Sequence, residues 1–248
     1  MVRTIRWRAA LVLLILLVAA CNLQSNEQLS PQNEQTTDHP IVKALSGEIV
    51  VTDADDFDGD ELSPRWGGFG ERPPLEDGVV TMTGTGGWDT GLERTGFGDN
   101  EGIMIDLQYE SGAVYGMFFQ AGLFESEDWH QFGFEGLDGD EHTFANWGAR
   151  GGNWVVLQDD FELQNGIWYT VVQRVLPGGR FSTHIWNRDD PNGYLFNAVT
   201  VPPDDVDWDR RTWLYTISIM EGTIRADNYR ALQFPVEFEM PASPPNAD

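Results

Sequence analysis

Between residues 78 and 234 the chain alternates short apolar or aromatic runs with Gly, Asn, Asp and Pro. The runs are GVVTMTG, GIMIDLQYE, VYGMFFQAGLF, WHQFGFE, HTFANW, NWVVLQD, IWYTVVQRV, FSTHIW, YLFNAVTV, TWLYTISIM and TIRADNYRALQF. None keeps a 3.6-residue apolar period, so the pattern predicts strands and not helices. β-Branched and aromatic side chains suit pleated, half-buried surfaces. That many short strands predict an all-β domain, a two-sheet antiparallel sandwich or a barrel. No internal repeat is visible. Successive residues of a strand take opposite faces. In WHQFGFE, His130, Phe132 and Phe134 oppose Trp129, Gln131 and Glu135. In FSTHIW, Phe181, Thr183 and Ile185 oppose Ser182, His184 and Trp186. In VYGMFFQAG, Tyr115, Met117, Phe119 and Ala121 oppose Phe118 and Gln120. An apolar face is thus paired with one that mixes aromatic and polar groups, and a core needs only the first.

The chain ends read differently. Arg3, Arg6 and Arg8 precede an apolar run from Ala9 to Ala20. A bilayer span needs about 20 apolar residues, so this run reads as a secretory signal. Its end, Val18-Ala19-Ala20-Cys21, resembles the lipobox of bacterial lipoproteins. That resemblance implies cleavage before Cys21, acylation of Cys21, and lipid anchoring at the outer face of an envelope membrane. Asn22 stands where lipoproteins kept at an inner membrane commonly carry Asp, which points to the outer membrane if the organism has one. Cys21 is the only cysteine, so no internal disulfide is expected. Residues 22–40, rich in Gln, Asn, Ser and Thr, bury too little apolar surface to offset ordering entropy. The expected organisation is a signal over 1–20, an acylated Cys and flexible tether over 21–47, one domain over 48–238, and a disordered tail over 239–248.

The formal charge is −25, and Lys43 is the only lysine. Such a chain repels phosphate backbones, which excludes nucleic acid as a partner. High net charge also favours solubility, and a monomer is expected.

Two ends of the domain carry a resemblance. DDFDGDELSPRW followed by LEDGVVTMTG, and the closing GTIRADNYRAL, resemble the first and last strands of concanavalin A-like lectin/glucanase jelly rolls. That group includes laminin-G-like modules and family-16 glycoside hydrolases. IWYTVVQRVLPGGRFSTHIWNRDDPNG resembles its strand, Gly-rich hairpin, strand unit. The resemblance implies a jelly-roll β-sandwich with a concave sheet across which glycans or proteins lie. It also implies a structural Ca²⁺ held by Asp56, Asp227 and backbone carbonyls, since a hard cation takes oxygen ligands.

The segment FEGLDGDE holds Glu135, Asp138 and Glu141. Family-16 hydrolases use Glu-x-Asp-x-Glu on one strand, with nucleophile and acid/base carboxyls about 5 Å apart. Glu135 and Asp138 are an odd number of residues apart, and Asp138-Gly139 is a hairpin signal. The cluster therefore reads as a turn, and the chain as a non-enzyme. Ser182 and His184 lack a G-x-S-x-G elbow. His39, His130, His142 and His184 lack zinc spacing. DADDFDGD fails as an EF-hand, because it would place Ala54 first and Arg65 twelfth.

Aromatic rings stack on sugar C–H faces while amides and charged groups bond the hydroxyls. The candidate ligand residues are Gln120, Trp129, Gln131, Glu135, Trp147, Trp154, Arg174, His184 and Trp186, with Asn146 as a further polar partner. The expected function is a membrane-anchored, non-catalytic, lectin-like module that binds a glycan or other cell-surface polymer. A surface adhesion module that binds protein is the alternative. A glycoside hydrolase related to the family-16 glucanases is a third reading.

Overall fold

The structure, a computed structural model, describes Leu45 and residues 48–68, 70–87, 90–111, 115–121, 130–137, 141–148, 155–158, 164–190, 192–200 and 213–244. For the strands between 111 and 158, and for Thr200 and Trp213, backbone placement alone is described. Contacts divide the chain into Met1–Gln35 and Thr36–Asp248, and every described residue belongs to the second unit.

The strands are β1 (Val50–Asp55), β2 (Leu75–Glu76), β3 (Val79–Thr85), β4 (Gly91–Phe97), β5 (Glu101–Ser111), β6 (Tyr115–Ala121) and β7 (His130–Leu137). They continue with β8 (Glu141–Gly148), β9 (Val155–Gln158), β10 (Trp168–Leu176), β11 (Arg180–Asn187), β12 (Phe196–Thr200), β13 (Trp213–Ile219) and β14 (Glu221–Gln233). An eight-stranded sheet runs β12-β11-β10-β5-β14-β3-β2, with β1 also pairing β14. A six-stranded sheet runs β4-β13-β6-β7-β8-β9. The pairings are antiparallel.

Each apolar run named above falls on one strand from β3 to β14. Asp77 and Gly78 take positive φ, 51° and 78°, in the two-residue turn from β2 to β3. Asp-Gly is a favoured pair for such a turn, since both central residues need positive φ. Strands β1, β2 and β4 have no counterpart in the apolar pattern. In GLERTGF the charged Arg94 faces inward opposite Tyr215, with its guanidinium over the rings of Trp66 and Tyr229. Its charge is met by Asp53, so a polar residue serves a core-facing position.

The main core lies between the sheets. Ile103, Ile105, Leu107, Val171, Phe181 and Ile185 of the large sheet meet Leu92, Tyr215, Ile217 and Ile219 of the small one. Trp66 and Phe57 close one side, with the Trp66 indole donating to Asp55 at 2.8 Å. Burying each large apolar side chain contributes about 1.5–3 kcal/mol.

A second cluster covers the outer face of the large sheet. Met104, Val172, Trp186 and Leu232 alternate with the core residues and pack under Leu45, Ile49 and Phe234, with Phe238 and Met240 alongside. The segments on both sides of the domain thus cover a face that alternation alone leaves open. Leu45 and Met240 lie just outside the expected boundaries of 48 and 238, and both belong to this packing.

Candidate functional site

The six-stranded sheet has one face toward the core, marked by Tyr215, Ile217 and Ile219 of β13. Leu214, Thr216 and Ser218 therefore take its outward face. Gln120 of β6 is the register partner of Leu214 and of Gln131, and Gln131 is the partner of Trp147. Residues directly opposite in antiparallel strands share a face. Three of the candidate ligand residues therefore form one row across β6, β7 and β8 on the outward face. Glu135, four residues after Gln131, has the same parity and stands opposite Tyr115 and Thr143.

Gln120 reaches that face through an irregularity. Met117 pairs with Gly133 and Phe119 with Phe132, so the register shifts between them. One extra residue reverses the alternation. Met117 and Gln120 therefore share a face, where strict alternation in the sequence opposes them. Asn146 pairs with Phe132 and falls on the core-facing side. Leu137 pairs with Glu141, so a three-residue connection joins β7 to β8, and Glu135 and Glu141 sit on strands flanking it. Asp138 lies outside the described residues, as do Cys21, Trp129 and Trp154.

Glu93 of β4 escaped the sequence reading. It pairs with Thr216 and so belongs to the same outward face. Burial pushes its carboxyl above the usual range. Thr216 is fully buried, and its hydroxyl lacks a hydrogen-bond partner. No signal marks Glu93 in GLERTGF, since its place depends on the partner strand.

Three candidates are corrected by burial. Trp186 is 0% exposed and belongs to the second cluster, beneath the chain-end segments. His184 is buried against Tyr194, and burial lowers its pKa to about 4, which keeps it neutral. Arg174 is buried and ties down the C-terminal segment. Its Nη1 donates to the Phe238 carbonyl at 2.6 Å, and its Nη2 to Asn100 Oδ1 at 2.6 Å and the Pro235 carbonyl at 3.1 Å. These side chains hold the fold on the large sheet, away from the row on the small one.

Asp56 and Asp227 are brought near each other. Burial is the main cause of the raised Asp227 pKa, and the charges of Asp106 and Asp56 add to it. Asp56 is ion-paired with Arg230 at 2.5 Å. Asp106, fully buried, accepts from Thr170 at 2.7 Å and Asn228 at 2.8 Å, with Arg188 at 3.5 Å. Positive charge thus comes from guanidinium groups of the chain. Among the described residues no three His, Cys, Asp or Glu side chains are grouped to hold a metal. Calcium takes six to eight oxygens, so this set fits the expected ion only in part.

No family model matches the sequence, and no curated protein matches it either. Solved structures do. Xylan β-1,4-xylosidase from Bacillus halodurans C-125 matches with a TM-score of 0.54 at 12% identity, over 73% of this chain and 38% of that one. The chain therefore spans about two fifths of that enzyme's length. The CBM2 module of the evolved Dit of Lactobacillus casei BL23 phage J-1 matches with a TM-score of 0.50 at 10% identity, over 77% of this chain and 99% of that one. A family-16 glycosyl hydrolase from Mycobacterium smegmatis matches with a TM-score of 0.50 at 12% identity, over 73% and 100%. At such identities the likeness speaks for fold alone. The domain is an antiparallel two-sheet β-sandwich of the concanavalin A-like jelly-roll type.

Proposed function

We propose that this protein is a glycan-binding module, non-catalytic and held at the cell envelope by a lipid on Cys21. The ligand would lie across the outward face of the six-stranded sheet. The observation that carries the reading is the register row Gln120–Gln131–Trp147, three directly paired positions on one face of the six-stranded sheet whose residue types are two amides and an indole. An aromatic platform with adjacent amides is the chemistry a sugar ring requires. Glu93 and Glu135 add acceptors on the same face. The names of the structural neighbours, a xylosidase, a carbohydrate-binding module and a family-16 hydrolase, lend support from outside the chain.

The non-catalytic reading rests on β7. Its same-face positions 131, 133 and 135 have the spacing Glu-x-Asp-x-Glu, but they hold Gln131, Gly133 and Glu135. An amide is no nucleophile of that kind, so β7 lacks the pair of carboxyls that this pattern supplies to a retaining glycosidase. A glycan array probed with the purified chain tests binding, and reducing-sugar release from a polysaccharide panel tests catalysis. Binding without release is expected. Capture of no glycan would leave the protein-binding adhesion module in its place, and release of sugar would make the chain a hydrolase.

A further inference from the structure

Two adjoining cavities lie along β3 at the edge of the large sheet and the start of β4 at the edge of the small one, and they meet at Arg72 and Pro73. The larger, about 340 Å³, is lined by Thr81, Thr83 and Thr85 of β3. The smaller, about 160 Å³, is lined by backbone at Gly68 and Gly70. A side chain at position 68 would meet the Gly91 carbonyl at 2.2 Å, so the chain passes closely there and leaves its backbone bare. Arg72 at the junction is exposed. It donates to the carbonyls of Leu62 at 2.7 Å, Ser63 at 2.9 Å and Trp66 at 3.5 Å, and to no carboxylate among the described residues. It shares this with Arg174 and Arg180, while five described arginines are ion-paired. Arg65 and Arg94 pair with Asp53, Arg188 with Asp106, Arg225 with Glu110 and Arg230 with Asp56. A guanidinium carries five N–H donors, and the carbonyls use three.

We propose that this cleft binds an acidic saccharide, with Arg72 meeting the sugar carboxylate and the β3 threonines bonding ring hydroxyls. The inference rests on the glycan reading and adds a second site to it, with its own ligand chemistry. A neutral sugar leaves the Arg72 charge unused, and an acidic peptide offers few hydroxyls to the threonine row. Glu71 also lines the larger cavity and makes no ion pair with Arg72 among the described residues, so its carboxylate is placed to accept from a hydroxyl. The combined volume lies in the range of small-molecule sites, roughly 300–1,000 Å³.

The test is calorimetric titration of the full chain with tetragalacturonate and with a neutral galacto-oligosaccharide of equal length. Four variants are compared: Arg72→Met, Arg72→Lys, Thr83→Trp and Trp147→Ala. Charge-assisted hydrogen bonds set the scale, so Arg72→Met should weaken tetragalacturonate about ten- to a hundredfold, with partial rescue by Arg72→Lys. Thr83→Trp fills the larger cavity, leaves the carbonyl bonds of Arg72 intact, and should weaken it comparably if Arg72→Met unfolds. Trp147→Ala should leave it unchanged. Equal affinity for the neutral chain, no binding of tetragalacturonate, or indifference to Thr83→Trp would overturn the proposal. Loss with Trp147→Ala alone would return the ligand to the six-stranded sheet, leaving the proposed function standing and this site refuted. Tetragalacturonate held at the cleft, with no other glycan on the array sensitive to Trp147→Ala, would leave this site standing and refute the sheet site alone.

Discussion

At the scale of single residues, burial assigns Trp186 to the fold and not to a ligand. Trp186 and Trp147 both occupy strand positions whose sequence pattern offers a mixed face. Trp186 is fully buried. Trp186→Ala should cost about 3–5 kcal/mol and lower the melting midpoint by on the order of 10 °C. Calorimetry checks it, and a midpoint within 2 °C of wild type would return Trp186 to the surface. His184 supplies a pH signature. Its folded pKa is about 4 against the ordinary 6.5, so below 6.5 the unfolded chain takes up the proton first. The stability that neutral His184 contributes is complete above 6.5 and is lost as pH falls toward 4, ~3 kcal/mol in all. His184→Phe should flatten the melting midpoint between pH 6.5 and 4.5 relative to wild type; parallel curves would refute the assignment. Alternation correctly separates Trp186 from the core-facing Ile185, but it cannot say that chain-end segments then cover the second face.

At the scale of elements, the strands were legible where apolar residues dominate and silent where charge does the packing. WYTVVQRVL announces β10, whereas VVTDAD and GLERTGF do not announce β1 and β4. Those strands are held by Arg94 and Arg65 on Asp53, a pairing whose members come from distant segments. The bulge in β6 is equally silent, and it decides the face of Gln120. Gly102 in β5 shows the backbone side of the same point. A Cβ there would lie 2.0 Å from the Gln173 carbonyl, so β5 and β10 pair only over a glycine. Gly102→Ala should destabilise by several kcal/mol, since overpacking that backbone contact must shift a strand; overpacking typically costs about 1–3 kcal/mol or more. A denaturant midpoint equal to wild type would show that the strands can part freely. The Asp56–Arg230 pair belongs here too, joining the end of β1 to β14. Because Arg230 already neutralises Asp56, chelator should leave the melting midpoint within about 1 °C, while Arg230→Gln should lower it by several degrees. A drop on chelation of the wild-type chain would restore calcium to the site.

At the scale of the whole molecule, the outer face of the large sheet is covered by the segments at both ends of the domain. The large sheet receives Leu45, near the end of the expected tether, Ile49 just after it, and the segment bound by Arg174. The small sheet carries the Gln120–Gln131–Trp147 row on the opposite side of the sandwich. An anchored chain would therefore enter the domain on the side away from its ligand face. Cys21→Ser should move the protein from the membrane to the soluble fraction of fractionated cells, with glycan binding retained; persistence in the membrane would remove the lipid anchor from the proposal. The fold was readable because two-residue periodicity is written into every apolar strand. The ligand was not, because its place depends on which strand positions pair across the small sheet. The most direct measurement is calorimetric titration of wild-type chain and Trp147→Ala with a glycan captured on the array, each with its thermal melt. The expected result is a loss of at least about tenfold in affinity with an unchanged melting midpoint, the size of a lost sugar–indole contact of about 1.4 kcal/mol. Equal affinity in the two chains would contradict ligand capture by the six-stranded sheet.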